Sequence, residues 1–547
     1  MRIAALILAL WPAGARAAEP GCLGTRQSDV VVYGGTAAGA AAAVTAAREG
    51  RRTVLVAPER HVGGHAVEGL GSSDINNHWF RNETAIGGIA REFYTRVGKK
   101  YGQPGAVYQF EAHVAEAVYA EMLRQPGLEV AAGTRLLEPL EKAVMWKAGE
   151  KRLRAIRTAG GECFAGEQFI DASVEGDLLA AAGVTTTVGR EGNAVYGESR
   201  NGIRGENRYR NFPMRLDPYR IPGDPTSGLL PTIQDEALGT PGEGDRRIQG
   251  FCFRLCLTRN PARQRPIARP AGYRAETYEL YRRYARAGGE LFSPAANLPN
   301  GKTDLGSWHD LSANLYGMNH DWPQAGTERR SAIYKDHREF VQGLLWFMAN
   351  DEALPARTRE AWRGWGLCAD EFTDNGNWPR ALYVRDGRRM VSDYVVTEHH
   401  LRRINPQPVA DPVAVAYWPP DVHHVRRIVR DGAVYNEGFV FGGSDWGPFG
   451  ISYRSLVPKR AEALNLLTPT CVSSSHIAYG SIRLEWTFMA LGQAAGQAAA
   501  LALDKHVAVQ DVPYPELRAR LEGRGQVVDL GVAEPLPGRV IPEEEKE

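Results

Sequence analysis

The residues with the strongest claim on chemistry are two histidines and an arginine late in the chain. His476 lies in "SSSHIAYGSIR", a polar stretch that leads into Arg483 and Glu485. His423 lies in "PPDVHHVRR", two residues after Asp421, a carboxylate able to orient its imidazole. An imidazole titrating near pH 6.5 is the natural acceptor for a proton leaving an alcohol. A hydrogen-bonded structural histidine is the competing reading of either. Arg385 and Arg389 are four apart, the spacing of one helical face, so they could clamp a carboxylate or pyrophosphate. A solvated basic face is the alternative. Trp322 in "NHDWP" and Trp378 in "NWP" sit beside amides and a carboxylate, which suits sugar rings and protein cores alike.

A second chemistry is that of a phosphate cradle. In "DVVVYGGTAAGAAAAVTAAREGRRTVLVAPERHVGG" a strand-type run over 29–33 meets Gly34, Gly35, Thr36 and Gly39. An alanine-rich helix, a Gly50 stop and a second strand at 53–57 follow, the proportions of a dinucleotide-binding βαβ unit. Residues without bulk let a pyrophosphate approach the amides and positive dipole of a helix N-terminus. Thr36 stands at the second glycine position, where its hydroxyl could donate to a phosphate instead. Ala57 stands where the second strand usually ends in a ribose-binding acid, with Glu59 two residues on as a substitute.

These motifs need a scaffold, and the texture of the chain suggests one. Residues 28–200 read as the first part of a nucleotide domain. Residues 201–430 are dense in Arg, Trp, Pro, Asn and His and read as an inserted substrate or cap region. Residues 431–510 return to α/β texture, and 511–547 form a C-terminal tail. In the insert, "DHREFVQGLLWFMAN" and "LYVRDGRRMVSDYVVTEHHLRRIN" read as helices, whereas "GFCFRLCLT" alternates like a strand. The fold class expected is α/β, a Rossmann-like domain interrupted by a large α+β region.

The cradle, followed by "EGLGSSD" and "IGGIAREFYTRV", resembles the secreted branch of the FAD-dependent oxidoreductase family. Its members have the glutathione-reductase type of FAD fold and are distantly related to fumarate reductases. The likeness continues through "FIDASVEGDLLAAAGV", "VGREGNAVYGES", "DEFTDNGNWPRALYVRDGRRMVSDYVVTE" and "NLLTPTCVSSSHIAYGSIRLEWTFMALGQAAGQAAALA". It implies FAD as cofactor, with Gly34, Gly35, Thr36 and Gly39 at the diphosphate. Glu59, Arg60, Gly63 and Gly64 match the stretch after the ribose, and Asp177 the segment returning to the cofactor. Gly492, Gln493 and Ala494 belong to a terminal helix whose N-terminus faces the flavin. With a flavin handling the hydride, His476, His423 and Arg483 become the catalytic candidates. His65 follows Gly63-Gly64, where relatives commonly carry a residue such as methionine. A histidine in the comparable region of fumarate reductases can hold flavin covalently, so covalent and noncovalent attachment both stay open.

Charge and cysteines bound the rest. With 65 basic and 64 acidic side chains, no bulk field favours nucleic acid or an anionic membrane. Arg2, the apolar run 3–11 and Ala15-Arg16-Ala17 read as a signal peptide over 1–18, hence an exported protein without a stable membrane anchor. Six cysteines are sparse for a disulfide scaffold, and Cys252 and Cys256, roughly 13 Å apart along a strand, cannot bridge each other. No C-x-x-C pair exists, so no metal site is expected and the iron–sulfur clusters of some relatives are not carried over. A second, nicotinamide-type glycine loop is also missing, which points to a quinone, a redox partner or oxygen as electron acceptor. The expected activity is hydride transfer between flavin and a small polar substrate such as a carbohydrate-derived alcohol. Reduction of an unsaturated acid, and a secreted carbohydrate-binding protein that has lost its flavin, are the rivals.

Overall fold

A computed structural model describes residues 21–76, 81–206, 211–307, 309–442 and 445–530. The signal-peptide segment lies outside the described residues. The chain is built around a parallel sheet of β1 (Val30–Tyr33), β2 (Thr53–Ala57), β3 (Leu128–Ala132), β4 (Gln168–Asp171) and β5 (Leu466–Leu467). Their order is β5-β4-β1-β2-β3, with Val30 opposite both Thr53 and Gln168. Both faces of β1 are covered, so it is apolar at every position rather than alternating. Val30 and Val32 face α1 (Ala37–Arg48) and its helical partner. Val31 and Tyr33 face an antiparallel meander of strands 144–146, 153–157 and 162–165.

The chain crosses from β1 to β2 through α1 and from β2 toward β3 through α2 (Gly88–Lys100) and α3 (Ala112–Met122). The strand β5 closes the sheet only after the long insert. The interruption expected from the sequence is therefore present: a mixed α/β chain with a parallel nucleotide-type sheet and an extra region. After β4 come α4 (Asp177–Ala181) and then the insert, whose own core packs around α5 (Thr327–Asn350). The pattern "DHREFVQGLLWFMAN" lies within α5. Past β5 the chain forms α6 (His476–Ile482) and α7 (Glu485–Lys505).

Three expectations for the insert are corrected. The stretch from Leu382 to Asn405 is not a helix but largely extended chain, with a two-residue strand at Arg389–Met390 and one helical turn at Glu398–Leu401. Its β-branched residues Val384, Val391, Val395 and Val396 favour that outcome. Arg385 and Arg389 consequently do not share a helical face. Trp322 and Trp378 are core residues, packed edge-on against Phe251 and Phe253, and offer no open face to a sugar. The cysteines do more than their number suggested. Cys22 bridges Cys163, and Cys256 bridges Cys368 across the insert. Among the described residues, no helix is long and apolar enough to cross a membrane.

The helices α1 and α7 lie against each other along a seam of glycine and alanine. A Cβ on Gly492 would come within 2.2 Å of the Ala38 carbonyl oxygen, and one on Gly496 within 2.5 Å of that of Ala42. Backbone cannot yield there as a flexible side chain would. Gly492→Ala is expected to cost about 1–3 kcal/mol by overpacking, measured as a lower urea midpoint with an unchanged slope.

Candidate functional site

The glycine loop is shaped by close backbone approaches. Gly34 has φ of +113°, and a Cβ there would lie 2.4 Å from the Ser173 amide nitrogen; one on Gly39 would lie 1.9 Å from the Gly34 carbonyl oxygen. Thr36 is the N-cap of α1. Its Oγ1 accepts from the Gly39 amide (3.0 Å) and donates to the Ala172 carbonyl (2.7 Å). The hydroxyl is thus committed to the protein, which corrects the expectation that it would donate to a phosphate. The first amides of α1, at Ala37 and Ala38, have no partner within the helix and carry its positive dipole end.

Beside the loop, the Glu59 carboxylate turns back to accept from the Gly35 amide at 2.8 Å. A Cβ on Gly35 would meet Glu59 Oε2 at 2.8 Å and the Ala57 side chain at 2.9 Å, so the carboxyl fills the corner that Ala57 leaves. Burial pushes Glu59 up to about 7, against the pull of two backbone hydrogen bonds. The second glycine pair is tied to the first, because the amides of Gly63 and Gly64 both donate to the Gly35 carbonyl at 2.7 and 3.2 Å. Arg60 is exposed at the edge of this region.

Two cofactor candidates are committed elsewhere. Asp177 binds Arg330 through two hydrogen bonds of 2.6 and 2.9 Å and Arg388 at 3.0 Å. Burial raises this carboxyl, but the two guanidinium groups outweigh it and hold Asp177 below its ordinary value. Gln493 Oε1 accepts from the Ile89 amide (2.6 Å) at the start of α2, away from the glycine loop. Gly492 and Ala494 are buried in α7, Gly492 against Ala38.

The three catalytic candidates, in contrast, converge. His476 Nδ1 lies 3.5 Å from Asp386 Oδ2. The Gln249 amide donates to that same oxygen at 3.1 Å and accepts the His423 backbone N–H at 2.8 Å. His423 Nε2 lies 3.5 Å from Asp421 Oδ1, and Arg483 reaches Asp421 Oδ2 at 3.2 Å and the Tyr383 hydroxyl at 3.0 Å. Asp386, Gln249 and Tyr383 were missed in the sequence; Asp386 stands between the arginines of "RDGRR", which drew the attention. Burial raises Asp386, but the contact with His476, then Arg389 and Gln249, bring it below the ordinary carboxylate range. Burial, then Arg385 and Arg483, drive His423 well below its usual value. His65 stands edge-on to Tyr383 at 4.8 Å and is pushed down to about 4, first by burial.

Polar atoms without a partner collect here. His65 Nε2, Arg385 Nε, Asp386 Oδ1, both ring nitrogens of His476, Arg483 Nε and Glu485 Oε2 are buried with no hydrogen bond among the described residues. Buried polar atoms are ordinarily satisfied, so such a concentration fits a site completed by a polar ligand. The glycine cradle, the Glu59 carboxylate and these donors and acceptors together suit a dinucleotide cofactor. A different cluster, Glu111, His113 and Glu371, has metal-ligand spacing. Its cation is already supplied by Lys302, whose Nζ lies 2.7 Å from Glu111, 2.8 Å from Glu371 and 2.9 Å from Asp370.

Residues 29–521 match the FAD dependent oxidoreductase family. No curated protein shows a significant match. Among solved structures, GidA of Aquifex aeolicus is similar at 16% identity and a TM-score of 0.20, over 31% of this chain and 34% of that one. The L-proline dehydrogenase of P. horikoshii aligns at 13% identity and TM-score 0.23, over 31% of this chain and 59% of its own. The T. acidophilum thioredoxin reductase aligns at 17% and 0.18, over 31% and 40%. The chain thus spans between a third and three-fifths of these structures.

The Asp177 clamp joins the segment after β4 to α5 of the insert. Asp177→Asn removes the charge that Arg330 and Arg388 share, and is expected to cost about 3–5 kcal/mol at neutral pH. Urea unfolding checks this; a loss below about 1 kcal/mol, the scale of an exposed pair, refutes the clamp.

Proposed function

The chain belongs to the FAD-dependent oxidoreductase family, and from that premise we propose that it is an exported enzyme oxidising a polar alcohol, with His476 as the base. Gly34, Gly35, Gly39 and the first amides of α1 would hold the FAD diphosphate, and Glu59 a ribose hydroxyl. Gly63 and Gly64 leave the backbone bare beside them. FAD, when bound, supplies the hydride acceptor.

The observation that carries the reading is the buried His476–Asp386 pair. A base must be able to keep the proton it takes. His423 is held neutral by burial and by Arg385 and Arg483, whereas His476 faces an ionised carboxylate. As the alcohol carbon gives up its hydride, the O–H proton passes to a ring nitrogen of His476, and Asp386 stabilises the imidazolium. Gln249 fixes Asp386 and the His423 backbone together, which keeps the carboxylate aimed. The bound FAD would supply the route for the electrons to a quinone, a redox protein or oxygen.

Export is supported by the leader-like segment 1–18 and by two disulfides, which persist in oxidising compartments. The tryptophans that suggested a sugar are core residues, so the proposal stops at a polar alcohol. One observation favours the second reading, reduction of an unsaturated acid. Arg385, over the Tyr383 ring, and Arg483, at the Tyr383 hydroxyl, each present a buried Nε without a partner among the described residues. Product analysis separates the two reactions.

His476→Gln is expected to retain FAD and to lower kcat by about 10²–10⁴-fold in a dye-linked alcohol oxidation assay. Undiminished turnover refutes the base assignment. Acid precipitation of the folded protein is expected to leave flavin absorbance in the supernatant. Colour retained in the pellet would instead identify covalent attachment, with His65 the first residue to replace.

A further inference from the structure

One titratable group in the site has no part in the proton transfer just described. Glu485 opens α7 and is buried, with Oε2 unpartnered among the described residues. Its carboxyl takes a hydrogen bond from the His65 backbone. It borders a small internal cavity with Ser73, Asp74, Tyr94 and Tyr383. It also stands beside the glycine loops. A Cβ built on Gly64 would lie 3.2 Å from Glu485 Oε2, 2.9 Å from the Ala37 nitrogen and 3.3 Å from the Thr36 Cα.

What faces this carboxyl on every side is uncharged or acidic. Tyr94 comes from α2, Tyr119 from α3 and Tyr383 from the insert; His65 is neutral, and Asp74 lies across the cavity. Among the described residues no lysine or arginine pairs with Glu485, in contrast to the buried acids Asp177, Glu191 and Glu437. Burial accordingly pushes it up to about 8. The folded protein therefore keeps at pH 7 a proton that the unfolded chain releases near 4.5.

We propose that Glu485 meets bound FAD as a neutral carboxylic acid, donates its Oε2 proton to an acceptor atom of the cofactor, and thereby makes FAD affinity depend on its protonation. An ionised Glu485 would place a negative oxygen beside the diphosphate cradle with no donor to offer, so the two anions would repel. The step is a proton held in a hydrogen bond, with no bond broken and no electrons moved. The sign follows from linkage: affinity is level while the free protein is protonated and falls by up to about tenfold per pH unit above that point. Glu59, at about 7, and Asp74, at about 6, titrate lower, and both remain in Glu485→Gln, so a fall that the variant lacks belongs to Glu485.

The inference rests on FAD being the cofactor, and the experiment separates the two. FAD is titrated into apoprotein, following flavin fluorescence, from about pH 7 to about pH 9.5, a range centred near the raised carboxyl. Wild type should bind FAD with level affinity at the lower end and weaken at the upper end. Glu485→Gln, whose amide still donates, should bind with a flat profile across the range, and Glu485→Leu should bind weakly at every pH. Calorimetry of wild type in two buffers adds a reading that does not depend on a variant folding: about one proton taken up per FAD near pH 9 and none near pH 7. Parallel profiles for wild type and Glu485→Gln, or no proton uptake near pH 9, overturn the inference while leaving the cofactor in place. Failure of folded wild type to bind FAD at any pH overturns the cofactor assignment and the inference with it.

Discussion

The seam between α1 and α7 is the constraint on which the site depends. Gly492 and Gly496 let the two backbones approach to a distance that no larger residue permits at those positions. That approach fixes where the chain arrives after more than four hundred residues of excursion. It brings the start of α7, with Arg483 and Glu485 at its threshold, against the Thr36 loop and the Gly63-Gly64 turn. A looser seam would move the candidate residues at the start of α7 away from the cradle. Small residues here act on the site by permitting contact, not by binding anything themselves.

The way the fold treats buried charge separates scaffold from site. Outside the site several buried charges are answered in full. Lys302 has three carboxylates, Asp177 has two guanidinium groups, and Arg190 lies between Asp245 and Glu437. Breaking such arrangements leaves an uncompensated buried ion, which is why they are costly to disturb. Between Tyr383 and α7 the pattern changes, and nitrogens and oxygens of four side-chain types (His, Arg, Asp and Glu) are buried without partners among the described residues. Other unpartnered buried atoms, such as His337 Nε2 and Trp365 Nε1, are spread singly through the fold, whereas a cluster of several on neighbouring side chains is poorly explained unless something fills it.

Much of the frame was legible in the sequence because it depends on local pattern. The all-apolar β1, the alanine-rich α1, the interruption by an insert and the helix within 336–350 all follow from periodicity and glycine placement. The glycine cradle was legible for the same reason. The convergence of His476, His423 and Arg483 was anticipated only as a set of candidates, since spacing does not say that one amide, Gln249, links the first two. What failed did so for identifiable reasons. A four-residue arginine spacing was read as helical where β-branched neighbours held the chain extended. Thr36 was considered as a ligand when its first duty is to cap its own helix. Trp322 and Trp378 lay in polar-looking sequence, yet Asn319 and Asn377 spend their amides on backbone carbonyls and both rings pack inward. Asp177, in a family motif, is drawn away by Arg330, a partner 153 positions distant that no local pattern reveals.

The two histidines show how electrostatic surroundings sort chemically identical groups. Both lie within one network through Gln249, and both have a carboxylate at 3.5 Å. The difference is the competition for that carboxylate. Asp421 is shared with Arg483, through its side chain and its backbone carbonyl, so its charge is spent before His423 can use it. Arg385 and Arg483 then add repulsion to any proton placed on that ring. Asp386 meets no guanidinium within ion-pair distance among the described residues; Gln249 contributes a neutral donor to Oδ2, while Oδ1 is left open. A carboxylate held by an amide keeps its charge for the imidazole, where one held by arginine does not. The placement of one glutamine and one arginine thus gives the two imidazoles different surroundings: His476 beside a carboxylate free of arginine, and His423 held well below its usual value by burial, Arg385 and Arg483.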